Sequence, residues 1–153
     1  MKTRLMHKNE FKMQIPSISI NESFARKVCS DFLVLLDPTL SELSDIRTAV
    51  SEAVTNCIVH AYKDTCGTIY ISGKYYANRT VEIKIRDKGC GISDIKKAME
   101  PLYTTDTSGE RGGMGFAIMS SFTDKLTVKS KVGKGTVITM IKHLSDNTNA
   151  NAK

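Results

Sequence analysis

The chain has no long hydrophobic run, no Cys-x-x-Cys pair, no dense basic block and no internal repeat. Each absence removes a class of function. The longest purely apolar stretch, Phe32 to Leu36, is far too short to cross a bilayer, and Met1 to Gln14 is charged and lacks the apolar core of a signal peptide. A cytoplasmic location with no membrane association is expected. Cys29, Cys57, Cys66 and Cys90 have no ligand-spaced histidines nearby, which argues against zinc and for reduced, structural thiols. The net charge of +6 is spread along the chain without an aromatic-rich RNA-binding signature. A solvated basic surface is therefore expected, with no direct nucleic-acid contact.

What remains is an ordinary soluble balance, 41% hydrophobic and 25% charged over 153 residues, enough for one well-buried domain and short for two. That domain is expected over residues 11–144, between a flexible stretch at 1–10 and a polar, Asn-rich tail at 145–153. Phe11 to Ile20 alternates loosely around Pro16 and predicts an edge strand. Helical spacing predicts a first helix over Glu22 to Leu36, capped at Asn21-Glu22-Ser23, with Phe24, Val28, Phe32, Leu35 and Leu36 on its apolar stripe. A longer helix is expected from Thr39 or Ser41 to about Tyr62, burying Ile46, Val50, Ala53, Val54, Cys57, Ile58 and Ala61.

Thr68 to Tyr76 and Thr80 to Arg86 then predict an antiparallel hairpin. Ser93 is placed to cap a short helix over Asp94 to Met99, and the polar stretch Leu102 to Gly112 predicts a mobile loop. A third helix is expected from Gly113 to about Phe122, followed by strands over Lys125 to Ser130 and Thr136 to Ile141. This order fits a two-layer α/β sandwich, a mixed and mostly antiparallel sheet covered by helices on one face.

Four short motifs stand out. Glu52 and Asn56, four residues apart, lie one above the other on adjacent turns of the second helix, where both can face one ligand. Asp87-Lys88-Gly89-Cys90-Gly91 leaves the end of a strand. There a carboxylate can accept a hydrogen bond while two glycines admit close backbone approach. Gly113-Met114-Gly115 opens a helix, and Gly135-Thr136 opens the last strand. Taken singly these are equally a solvated helix face, a strand-to-loop turn, a helix entry and a hairpin turn.

In this order and spacing they resemble the four ATP-binding boxes of the GHKL superfamily of gyrase, Hsp90, histidine-kinase and MutL type ATPases. Asn21 to Arg26, Leu36 to Thr39, Ser51 to Asn56, Pro101 to Thr105 and Gly113 to Phe116 are similar to the sporulation anti-sigma serine-protein kinases of that superfamily. The resemblance covers about Phe11 to Leu144. It implies the Bergerat/GHKL fold, ATP and Mg²⁺ as cofactors, and a homodimer. It also implies two partners, a sporulation sigma factor and an anti-anti-sigma factor that is the phosphorylation substrate.

Residue by residue, the resemblance makes Glu52 the general base and Asn56 the Mg²⁺ ligand. Asp87 becomes the acceptor for the adenine amino group, with Gly89, Gly91 and Thr136 completing the base pocket. Thr105, Gly113 and Gly115 join the nucleotide-binding set, the glycines by exposing N–H groups to phosphates. Arg111 would neutralise charge on the transferred phosphoryl. Arg26 would recognise the protein partners. Three positions depart from the family pattern: Asp106 where lysine is frequent, Gly112 where serine is usual, and Ala61 where glycine usually follows the histidine. The alternatives are a histidine-kinase-type catalytic domain, a module using ATP only as a structural switch, and a nucleic-acid binder.

Overall fold

The structure is a computed structural model, and it describes residues 7–100 and 115–146. The element order is β1 His7–Pro16, α1 Ile20–Val34, α2 Leu40–Asn56, a π-helical turn Cys57–Ala61, β2 Thr68–Tyr76, β3 Thr80–Asp87, α3 Ile95–Ala98, α4 Gly115–Phe122, β4 Lys125–Lys131 and β5 Gly135–His143. The five strands form one sheet in the order β1-β2-β3-β5-β4, and every pairing is antiparallel. β1 is an edge strand, as its proline predicts.

Alternation gives the sheet two faces. Ile69, Ile71, Val81, Ile83, Ile85, Ile138 and Met140 point into one core together with Leu33, Val50, Val54 and Met119 from the helices. Lys84 and Arg86, the intervening residues of β3, are exposed on the opposite face, where Arg86 stacks 4.5 Å from the Tyr70 ring centroid. α2 packs against both α1 and α4 and is the central helix of the covering layer. Among the described residues no helix is long and apolar enough to cross a membrane.

Local chemistry accounts for the helix positions. Thr39 and Glu42 close a capping box at the start of α2, in which Thr39 Oγ1 accepts from the Glu42 N–H at 3.1 Å and Glu42 Oε1 accepts from the Thr39 N–H at 2.9 Å. α1 differs from expectation in phase. Its buried stripe is Ala25, Cys29, Phe32 and Leu33, whereas Phe24 and Leu35 are exposed. Its N-cap is Ser19 rather than the Asn21 group, and Asn21 Nδ2 instead donates to the Pro16 carbonyl at 2.9 Å. The cap of α3 is Asp94, whose Oδ1 accepts from the Lys97 N–H at 3.0 Å, in place of Ser93. The expected loop over 102–112 lies outside the described residues, as do most of the tail and the first six residues.

Candidate functional site

α2 changes its winding immediately after Asn56. The Tyr62 N–H donates to the Cys57 carbonyl at 3.1 Å, five residues back, so the helix ends in a π turn instead of running regularly to Tyr62. This turn carries the Ala61 carbonyl to the strand-end motif, where it accepts from the Cys90 N–H at 3.0 Å. A Cβ at Gly89 would lie 2.2 Å from that same oxygen, which is why a residue without one stands there. Gly91 has φ of +75° and a Cβ there would meet the Lys131 carbonyl oxygen at 2.3 Å. The Cys90 carbonyl accepts from the Gly133 N–H at 2.8 Å, so the motif is clamped between the end of α2 and the β4–β5 turn.

Asp87 is 5% exposed at the last position of β3, opposite Thr136 in the β3–β5 register. Its Oδ1 accepts from the Gly89 N–H at 2.9 Å and the Thr136 N–H at 3.2 Å. Among the described residues its Oδ2 meets only the Cys57 thiol, at 3.6 Å. Burial pushes the carboxyl above the usual carboxylate range, and the Gly89, Cys57 and Thr136 donors offset part of that rise. The Cys57 thiol is held well above its ordinary range by burial and by the Asp87 charge, so it stays a donor. One carboxylate oxygen is thus fixed by backbone and the other keeps acceptor capacity.

The second half of the site lies up α2. A Cβ at Gly115, the first residue of α4, would stand 3.2 Å from Asn56 Oδ1 and 3.4 Å from Glu52 Oε2. The α4 backbone therefore reaches the Glu52–Asn56 pair directly. Asn56 is followed by Cys57, which touches Asp87 at the end of β3, so Glu52, Asn56 and the residue that contacts Asp87 lie along one continuous run of helix. Thr136 is buried, and its hydroxyl shares a hydrogen bond of 2.8 Å with Ser130 Oγ. The structure thus brings Asp87, Gly89, Gly91 and Thr136 together at one end, and Glu52, Asn56 and Gly115 at the other. Thr105, Arg111 and Gly113 lie outside the described residues, and so do Asp106 and Gly112.

Arg26 is on α1, away from the adenine-end group. Its Nη1 lies 3.3 Å from Glu22 Oε1, and Glu22 also accepts the Ser51 hydroxyl, beside Glu52. Three contributors escaped the sequence reading. Cys57 read only as core. Tyr62, whose hydroxyl donates to the Thr68 carbonyl and accepts from the Lys88 N–H, each at 2.6 Å, holds the strand end in place. Ser130 Oγ accepts from the Ile92 N–H at 2.7 Å. Nothing in local composition marks these residues, because each acts through a partner distant in sequence.

The histidine kinase-like ATPase domain family matches residues 21–142. An anti-sigma F factor of Caldanaerobacter subterraneus is 48% identical, over 92% of this chain and 98% of the relative. The anti-sigma F factor of Bacillus subtilis is 47% identical, over 90% and 94%. Among solved structures, the RsbU and RsbW domains of a Mycobacterium tuberculosis protein match with a TM-score of 0.67 at 18% identity, covering 91% of this chain and 33% of that one. The mycobacterial sensor histidine kinase MprB matches with a TM-score of 0.54 at 19% identity, covering 67% and 72%. The fold is shared with these solved domains, and the chain belongs to the histidine kinase-like ATPase (GHKL) family, among relatives named anti-sigma F factor.

Proposed function

We propose that the chain is an ATP- and Mg²⁺-dependent protein-serine kinase. In this reading it sequesters a sporulation sigma factor and is relieved by an anti-anti-sigma protein, which it phosphorylates on serine. The carrying observation is the placement of Glu52 and Asn56 beside Gly115, on the same helical run that touches Asp87. A base-binding end and a reactive end lie at opposite ends of one site. The relatives' shared name supports the anti-sigma role, and the exposed apolar side chains of α1 and the residue that follows it, Ile20, Phe24, Val34 and Leu35, supply surface for association with a sigma factor or a second copy in a homodimer.

The residues fit the nucleotide and its metal. Asp87 Oδ2 offers an acceptor for the adenine amino group, and the missing Cβ at Gly115 leaves room against Asn56. The Asn56 amide oxygen would hold Mg²⁺, a hard cation that neutralises phosphate charge. Glu52 takes the proton from the serine hydroxyl. The serine oxygen then bonds the γ-phosphorus as the bond to the β,γ-bridging oxygen breaks, and ADP leaves. Thr105, Gly113 and Arg111 are assigned to the phosphate end by resemblance.

Incubation with γ-labelled ATP and a candidate anti-anti-sigma protein, followed by phosphoamino-acid analysis, tests the reading. Phosphoserine on the partner is expected. Label on histidine, or nucleotide binding with no label on any partner, overturns it.

A further inference from the structure

The face of α2 that leads to Glu52 is polar where its other face is core. Ser44, Arg47, Thr48, Ser51 and Glu52 recur at helical spacing and, with Arg26 of α1, line a groove of about 360 Å³. Leu40 and Leu43 stand at its far end. Two guanidinium groups in this groove have unmet capacity. Arg26 Nε is buried without a hydrogen-bond partner although its Nη1 pairs with Glu22. Arg47 makes no hydrogen bond or ion pair among the described residues.

The local carboxylates do not answer them. Glu22 is already shared by Arg26 and the Ser51 hydroxyl. Glu52 lies five residues beyond Arg47, at the Gly115 end. The groove therefore offers the guanidinium of Arg47, unpaired among the described residues and flanked by the hydroxyl residues Ser44 and Thr48, to a ligand arriving at the base from the side opposite Asn56.

We infer that this groove is the docking track for the acidic segment of the phosphorylated partner, and that Arg47 is a specificity-determining residue taking a carboxylate of that segment. The inference rests on the kinase reading above and adds an orientation to it. Five residues of helix separate Arg47 from Glu52, about 7.5 Å of rise. An extended chain advances about 3.3 Å per residue, so the carboxylate belongs two or three residues from the acceptor serine. Leu40 and Leu43 would receive an apolar residue farther along the same segment.

The test is steady-state phosphorylation of the anti-anti-sigma protein by the full chain carrying Arg47→Glu or Arg47→Gln, alongside ATP affinity measured by calorimetry. Arg47 is exposed, so neither change touches the core. The KM for the partner should rise about tenfold or more in Arg47→Glu, and less in Arg47→Gln. The turnover at saturating partner and the ATP affinity should stay within about threefold. Replacing the partner's acidic residue by lysine should restore the KM of the Arg47→Glu enzyme. An unchanged KM in both variants overturns the docking track while leaving the kinase reading intact. A tenfold loss of ATP affinity also overturns it, because Arg47 would then serve the nucleotide phosphates. No phosphoserine formation by the unaltered chain removes the parent reading and this inference with it.

Discussion

Asp87→Asn separates the binding of the base from the stability of the fold. Asparagine keeps an oxygen where the Gly89 and Thr136 N–H groups converge at 2.9 and 3.2 Å, and replaces Oδ2 with an amide NH₂. That NH₂ would confront the adenine amino group, donor against donor. A hydrogen bond to a charged acceptor contributes about 1.5–3 kcal/mol, so ATP affinity should fall roughly 10- to 150-fold. Guanine presents an oxygen where adenine presents its amino group, so the preference for ATP over GTP should shrink or reverse.

The free protein should not be weakened. Burial raises the Asp87 carboxyl above its ordinary value, so the native state holds a proton more tightly than the unfolded chain does. This contribution to stability is present at low pH and is lost as pH rises from the usual carboxylate range through the raised value. At pH 7 the ionised group is a cost that asparagine removes. Calorimetric titration with ATP and GTP, with thermal unfolding at pH 5 and pH 7, measures both effects. Unchanged ATP affinity in a folded Asp87→Asn variant refutes the adenine role, and a lower thermal midpoint at pH 7 refutes the charge argument.

Asn56→Ala should weaken Mg²⁺-ATP binding about tenfold or more while affecting metal-free ATP much less, as read by titration with and without EDTA; equal losses count against a metal role. In Gly89→Ala the new Cβ would fall 2.2 Å from the Ala61 carbonyl oxygen, and the strand end must move or the Cys90 to Ala61 bond break. Overpacking of this kind costs about 1–3 kcal/mol, so the thermal midpoint should drop by roughly 2–12 °C. An unchanged midpoint would show that the clamp yields freely.

The strands were legible because alternation and turn residues act locally. The hairpin over β2 and β3 and the last two strands fall where their patterns put them, and Pro16 marked the edge. The phase of α1 was not legible, since Phe24 outweighs Ala25 in hydrophobicity yet Ala25 is the one buried and Phe24 is exposed. Nor was the π turn at Cys57–Ala61, which repositions one carbonyl to meet a loop about thirty residues later. That turn also fixes the backbone of Cys90, which is bonded on both sides while its side chain is exposed. The site residues were visible as four motifs, but Tyr62 and Ser130, which hold those motifs in place, act only through the folded sheet.

The central claim is that Asp87 holds the nucleotide while Glu52, at the far end of the same site, acts on the acceptor hydroxyl. Phosphoserine formation on the partner and ATP affinity should therefore be measured together in Glu52→Ala. Phosphorylation should be abolished with ATP affinity largely retained, and unchanged turnover would contradict the account.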